Sequence, residues 1–496
     1  MRRLAVGGVA GAAGLIAILT LLARIAGFGR TLVFADSVRA SGVGDIYNAV
    51  NAVPNVVHEV AAGGALAALT VPLVAGHLGR GDPREAHRVA STLLTWALVI
   101  LVPLAVLVWL FAEPITAGLV GGAVDGGVQT GATMLRIFAL QIPLYGIGIV
   151  LAGVLHAHRR FVAVAVAPLL SSVVVIATYA AYGSLAQGAT TDVPDAALSL
   201  LAWGTTAGVA ALALPLAVPA WRAGWRFTPS LHFTGDDARR SRRLAGAGLI
   251  ALAAQQVATV GIVRLAVSRG GGEGALSVYT WIQAVVMLPY AVLVVPLATA
   301  AFPALAIRAG GDVDAAHSAD TPRSTDAVGR GDAERLLARA LHVAVLLGIV
   351  GAVGLVLVSP LVGAIFTALD ARRGGGTVSG AAVPAMAAGL RAFAVGLVGF
   401  GVQALLTRAL YVRGRPLTAG LAVALGWALA VLIPALALAP DAGAAHTVVM
   451  LGVGWSIGMT VAGAILVALA VRHWGSGILR GWRATAVYLR RRVVGR

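Results

Sequence analysis

The chain has 496 residues, 59% of them hydrophobic and 11% charged, with a mean hydropathy of +0.90; this composition excludes an ordinary soluble domain and points to an all-α polytopic membrane protein. Its net charge is +17 and all 37 basic residues are Arg. The absence of Lys excludes a Walker A phosphate loop and Schiff-base catalysis, and the absence of Cys excludes disulfides and thiol chemistry.

Apolar stretches long enough to span a bilayer number about 12, centred near residues 18, 62, 104, 144, 173, 207, 254, 292, 350, 400, 427 and 460. The first begins with Arg2 and Arg3 and mimics a signal peptide, but its apolar run continues to Phe34, so it is expected to be a true span. It holds Arg24 and Arg30, which lie about 120° apart around a helix. An Arg at a bilayer midplane costs roughly 2.5–3.5 kcal/mol, so such groups usually face a water-filled cavity or substrate route. Two alternatives stand beside that reading: Arg30 snorkels to a membrane surface, and Arg24 pairs with Glu59 or Asp45.

The second stretch carries Asp45, Asn48, Asn51, Asn55 and His58 at steps of three, three, four and three, which places them on one helical face with Glu59 at its edge. That face is expected to line a cavity; the bland alternative is a polar seam between helices. Gly63 and Gly64 follow, where a helix could bend. Further along, Gln256 and Arg264 of the seventh stretch lie eight residues apart on roughly one face, across the cavity from Arg24 in this reading. Arg136 and Arg391 are expected to snorkel, and Arg408 to anchor at headgroups.

Alternate loops hold most of the arginines, while the opposite loops hold only Arg39, Arg269, Arg372 and Arg373. The positive-inside rule then puts both termini in the cytoplasm, and the net charge needs no nucleic-acid partner, since loop topology and membrane lipids account for it. The ten His residues form no metal-ligand pattern, and the Gly-rich loop at 270–274 lacks the context of a phosphate site. No catalytic residue, metal or cofactor is therefore expected, and the chain reads as a transporter and not an enzyme.

Internal similarity suggests two halves. Leu155-His156-Ala157-His158-Arg159-Arg160 resembles Leu410-Tyr411-Val412-Arg413-Gly414-Arg415, Arg24 corresponds in place to Arg264, and Pro54 to Pro289. Six spans per repeat preserve orientation, giving an expected first lobe at 1–235 and a second at 236–472. Their junction would be the Arg-rich stretch at 221–243. The polar loop at 308–335 is expected to be disordered, and residues 473–496 to form a basic amphipathic helix on the cytoplasmic surface.

The stretch ARIAGFGRTLVFADSVRASGVGDIYNAVNAVPNVVHEVAAGGALAALTVP resembles the MurJ (MviN) family of lipid II flippases, within the MATE-like exporter superfamily. IPLYGIGIVLAGVLHAHRRFVAVAVAP and AVGLVGFGVQALLTRALYVRG agree with the same family. The resemblance implies two six-helix lobes around a cationic central cavity, alternating access, and export of undecaprenyl-diphosphate-linked peptidoglycan precursor across the cytoplasmic membrane. It ties Arg24, Arg30 and Asp45 to function. This chain departs from the family pattern at His58-Glu59, where paired arginines are usual, at Gly63 in place of a Glu, and at Gln283 and Ala284 in place of an acid and an Arg. The family usually has two further terminal spans, whereas the stretch after about residue 472 is expected to be too short and too charged to span. The cavity is thus expected to be less cationic than the family's.

The function these expectations support is lipid II flipping, with Arg24, Arg30 and Arg264 on the diphosphate, the second-span stripe and Gln256 on the headgroup, and Gly63-Gly64 as a hinge. Alternatives are export of another lipid-linked glycan, or a degenerate paralogue acting as a scaffold for cell-envelope biosynthesis proteins. A drug or metabolite antiporter fits the second stretch less well.

Overall fold

The computed structural model describes residues 2–61, 66–232, 249–294, 305 and 327–479. All regular structure among them is helical. Among the described residues, ten helices are long and apolar enough to cross a membrane, and an eleventh crossing arises if the pair Val383–Ala394 and Gly396–Val412, bent by 44°, is one broken span. The expected second span lies outside that count for a physical reason: its first helix gives one face to polar side chains, and its two described helices flank residues 62–65.

The first lobe contains α1 (Arg2–Ser37), α2 (Val43–Val60), α3 (Leu66–Gly79), α4 (Pro83–Leu110), α5 (Ala112–Val120), α6 (Gly127–Phe138), α7 (Gln141–Ala157), α8 (Phe161–Ala186), α9 (Asp195–Ala213) and α10 (Ala217–Arg222). Local chemistry sets several boundaries. Asp82 accepts a hydrogen bond from the Glu85 N–H at 3.0 Å and Pro83 opens the first turn, so α4 starts there. Arg88 then pairs with Glu85 within that turn.

The second lobe contains α11 (Leu249–Gly270), α12 (Ala275–Pro289) with a π-turn at Tyr290–Val294, α13 (Ala327–Arg372), α14 (Met386–Ala394), α15 (Gly396–Val412), α16 (Pro416–Ala437) and α17 (Ala444–Trp474). Its tightest packing depends on small residues: a Cβ on Gly458 would collide with the Gly426 carbonyl oxygen, so α16 and α17 approach backbone to backbone. Large apolar side chains such as Leu357 (74% exposed) and Leu436 (78% exposed) point outward, as lipid contact requires.

The two similar hexapeptides adopt the same turn. Arg160 N donates to Leu155 O at 2.8 Å and Arg159 N to His156 O at 3.0 Å; Arg415 N donates to Leu410 O at 3.0 Å and Gly414 N to Tyr411 O at 3.0 Å. The matching residues Arg159 and Gly414 both have positive φ, 58° and 67°.

Two expectations need adjustment. The last nine residues of the polar loop, 327–335, already belong to α13, where an Asp332–Arg335 ion pair stabilises the first turns; residues 306–326 lie outside the described residues. Of the tail, residues 473 and 474 complete α17 and Ser476–Leu479 form a 3₁₀ turn with Ile478 buried, while the rest lies outside the described residues. The expected lobe boundary at 235 also lies outside them. The described part of the junction runs along α4: Trp96 Nε1 donates to Leu231 O at 3.1 Å and Arg88 Nη1 to His232 O at 2.9 Å.

The lobes meet where α2 packs on α11 and α12, α1 on α13, and α5 on α11.

Candidate functional site

Between α2 of the first lobe and α11 and α12 of the second lies a cavity of about 280 Å³. Asn48, Asn51, Asn55 and Glu59 line it from α2, so the predicted stripe does face open space. Steps of three, four and four keep these four on one face, and the same geometry turns His58 aside. His58 instead packs its ring on Tyr145 of α7, with centroids 4.3 Å apart. The Tyr145 hydroxyl donates to Asn55 Oδ1 at 3.1 Å, tying α7 to the cavity wall.

The opposing wall comes from Gln255, Gln256 and Thr259 on α11 and from Tyr279, Thr280 and Gln283 on α12. Gln256 is expected here, and Gln283 stands out in sequence as a departure from the family's cavity pattern; Gln255, Thr259, Tyr279 and Thr280 are not singled out by the sequence. Their signal was present as polar steps of three and four inside apolar helices, but each was a short run without the length of the α2 stripe. Gln283 Nε2 donates to the Tyr279 hydroxyl at 2.6 Å, and Asn48 Nδ2 donates to Gly44 O and Ser277 Oγ, both at 3.0 Å. By contrast, Asn51 Oδ1 and Gln256 Nε2 are buried atoms without a hydrogen-bond partner among the described residues.

The three arginines assigned to the site stand elsewhere. Arg24 and Arg30 are exposed on α1, outside the cavity lining. Arg30 is near enough for its charge to act on Tyr47, Tyr145 and Tyr179, of which Tyr145 bonds to the lining residue Asn55. Arg264 is exposed two turns beyond Gln256, its guanidinium beside Gly121 at the end of α5. Among the described lining residues there is no Arg or His, and Glu59 is the one charged group. The expected hinge, Gly63 and Gly64, lies outside the described residues.

Asp45 does not reach the cavity either. It is fully buried at the other end of α2, where Oδ1 accepts from Ser277 N at 2.9 Å and Ser277 Oγ at 3.0 Å, and Oδ2 accepts from Gly274 N at 2.9 Å. Gly274 precedes α12 and has no side chain to cap it, so a carboxylate from the other lobe satisfies the exposed N–H groups and opposes the helix dipole. The positive φ of 87° at Gly274 makes this approach possible.

Around that contact the arginine-poor end of the seam is closed by further bonds between lobes. Arg39, almost wholly buried, donates to Asp370 O at 2.8 Å, Gly188 O at 2.8 Å and Thr377 O at 2.6 Å, with the Asp370 carboxylate 3.8 Å away. Asp370 in turn accepts from Ala40 N at 2.8 Å and Ser379 N at 2.6 Å. Ser41 Oγ donates to Ser379 O at 2.6 Å, and Asp36 pairs with Arg373 at 3.1 Å and Arg372 at 3.3 Å. In sequence Arg39, Arg372 and Arg373 stand only as loop charges, because no local pattern links residues more than three hundred positions apart.

Comparison with known proteins gives a consistent result. The family model described as lipid II flippase MurJ matches residues 34–494. A protein named lipid II flippase MurJ from Burkholderia cenocepacia is 30% identical over 164 residues, which are 32% of this chain and 31% of that protein, so the aligned part is well short of that relative's full length. Among solved structures, a lipid II flippase MurJ in an inward closed conformation superposes with a TM-score of 0.69 at 17% identity, covering 96% of this chain and 92% of the other. An inward-facing multidrug resistance transporter of the MATE family superposes with a TM-score of 0.70 at 16% identity, covering 91% and 94%. These likenesses establish the two-lobe transporter fold.

Proposed function

The chain belongs to the lipid II flippase MurJ family of membrane transporters, and on that premise we propose that it moves lipid II, the undecaprenyl-diphosphate-linked peptidoglycan precursor, to the outer leaflet by alternating access. The observation that carries this reading is the pairing of a polar cavity between the lobes with a hydrogen-bonded closure of the same seam at one end. A transporter that alternates needs both, because solute must reach a site from one side while the other is shut. By the distribution of arginines, the closed end is the outer one and both termini are cytoplasmic.

In this proposal Asn48, Asn51, Asn55, Glu59 and Gln256 contact the headgroup, and Arg24 and Arg30 hold the diphosphate from α1 at the flank of the cavity. Guanidinium groups suit that task because each can donate two parallel hydrogen bonds to phosphate oxygens. Arg264, farther along the seam, meets the diphosphate on the outward side. Asp45 acts through the closure and does not touch substrate. Gly63 and Gly64 retain their proposed role as a hinge.

The test is whether the chain, with membrane insertion verified, restores outward lipid II exposure in bacterial cells depleted of their own flippase. Restoration is expected. Failure by an inserted protein overturns the assignment and favours export of another lipid-linked glycan, a reading supported by the lack of a cation among the described lining residues.

A further inference from the structure

The polar part of the cavity lining bears on which headgroup it accepts, an inference that rests on the transport reading above. Among the described residues, six carboxamides line it: Asn48, Asn51, Asn55, Gln255, Gln256 and Gln283. With them stands one carboxylate, Glu59, exposed to the cavity and without an ion pair among the described residues. Its sequence neighbour His58 is directed to Tyr145 and is absent from the lining.

A site for a bare diphosphate would present several cationic donors. This one presents a negative charge, which repels phosphate and attracts an ammonium group more strongly as water is excluded. Carboxamides each offer a donor pair and an acceptor, so they match sugar hydroxyls and peptide amides, which also do both. A structural seam between helices would satisfy its own polar groups. Here two of the lining residues keep a buried polar atom unpaired among the described residues: Gln256, 6% exposed, its donor Nε2, and Asn51 its acceptor Oδ1.

We propose that this cavity selects a lipid-linked glycopeptide headgroup bearing a protonated amine, with Glu59 as counter-ion to that amine and the six carboxamides reading the hydroxyl and amide groups beside it. Glu59 is thereby a specificity-determining residue, and the diphosphate remains outside the cavity.

The experiment uses the full chain in lipid nanodiscs and two probes: lipid II with a free ε-amine on a stem-peptide lysine, and the same molecule with that amine N-acetylated. Binding of each is measured to the wild type and to Glu59→Gln, with thermal unfolding of the two proteins compared as a control on folding. Acetylation is expected to weaken binding to the wild type tenfold or more and to change binding to Glu59→Gln less than twofold. Equal binding of both probes by the wild type overturns the proposal while leaving lipid II transport standing, as does an acetylation effect that persists in Glu59→Gln. Binding of neither probe overturns the proposal together with the transport reading.

Discussion

Asp45 of the first lobe and Ser277 of the second share a single carboxylate oxygen: Oδ1 accepts both the Ser277 N–H at 2.9 Å and its hydroxyl at 3.0 Å. A buried carboxylate that caps a helix of the opposite lobe couples the position of α2 to that of α12. The coupling is strongest when all its donors are present and is lost together when the lobes part.

Asp45→Asn should therefore loosen the closed seam without disturbing either lobe. An amide replaces one acceptor by donors that face the Gly274 N–H or Ser277, leaving a buried donor unsatisfied at a cost of about 1–3 kcal/mol, or roughly five- to hundred-fold in population. In a variant carrying Asn48→Cys, Asp45→Asn should raise labelling by a membrane-impermeant maleimide applied from outside. Unchanged labelling would mean that Asp45 does not hold the seam shut.

The natural chain has no Cys, so an introduced pair is free of background. Ser41→Cys with Ser379→Cys, at the site of the 2.6 Å Ser41–Ser379 bond, should form a disulfide under mild oxidation. Transport should stop on oxidation and return on reduction. If the linked protein transports normally, the lobes do not separate at this end.

Arg39 and Arg372 lie on the same surface of the seam but differ in burial, 7% against 72% exposure of the side chain. Arg39→Ala leaves the Asp370 carboxylate buried without its cation and three carbonyl groups without their donor, a loss on the order of 3–5 kcal/mol. Arg372→Ala removes a solvated pair worth under about 1 kcal/mol. Thermal unfolding in detergent should drop by several degrees for Arg39→Ala and scarcely move for Arg372→Ala; equal shifts would refute the ranking.

Arg24→Ala and Arg30→Ala should each abolish or sharply reduce outward lipid II exposure while leaving membrane insertion and thermal unfolding near wild type, because both side chains are exposed and neither stabilises a packed contact. Arg30→Lys should recover only part of the loss, since an ammonium cannot form the bidentate bond. Full transport by Arg24→Ala would remove the diphosphate role proposed for α1.

Much of this molecule follows from periodicity. The apolar lengths determine the helices, the Arg distribution orients them, and spacing by threes and fours singles out the α2 face, because a helix repeats every 3.6 residues whatever packs against it. The hexapeptide match likewise anticipates a turn that recurs in both lobes. What lies opposite each face was decided only by tertiary packing. Asp45 and Glu59 belong to one helix, yet one is sealed against the start of α12 and the other opens into the cavity. Arg24, Arg30 and Arg264 read as cavity cations in sequence and stand outside its lining in space, while Arg39 and Asp370 meet across the seam. A face can be read along the chain, but its partner depends on how two lobes dock, and no local spacing encodes that.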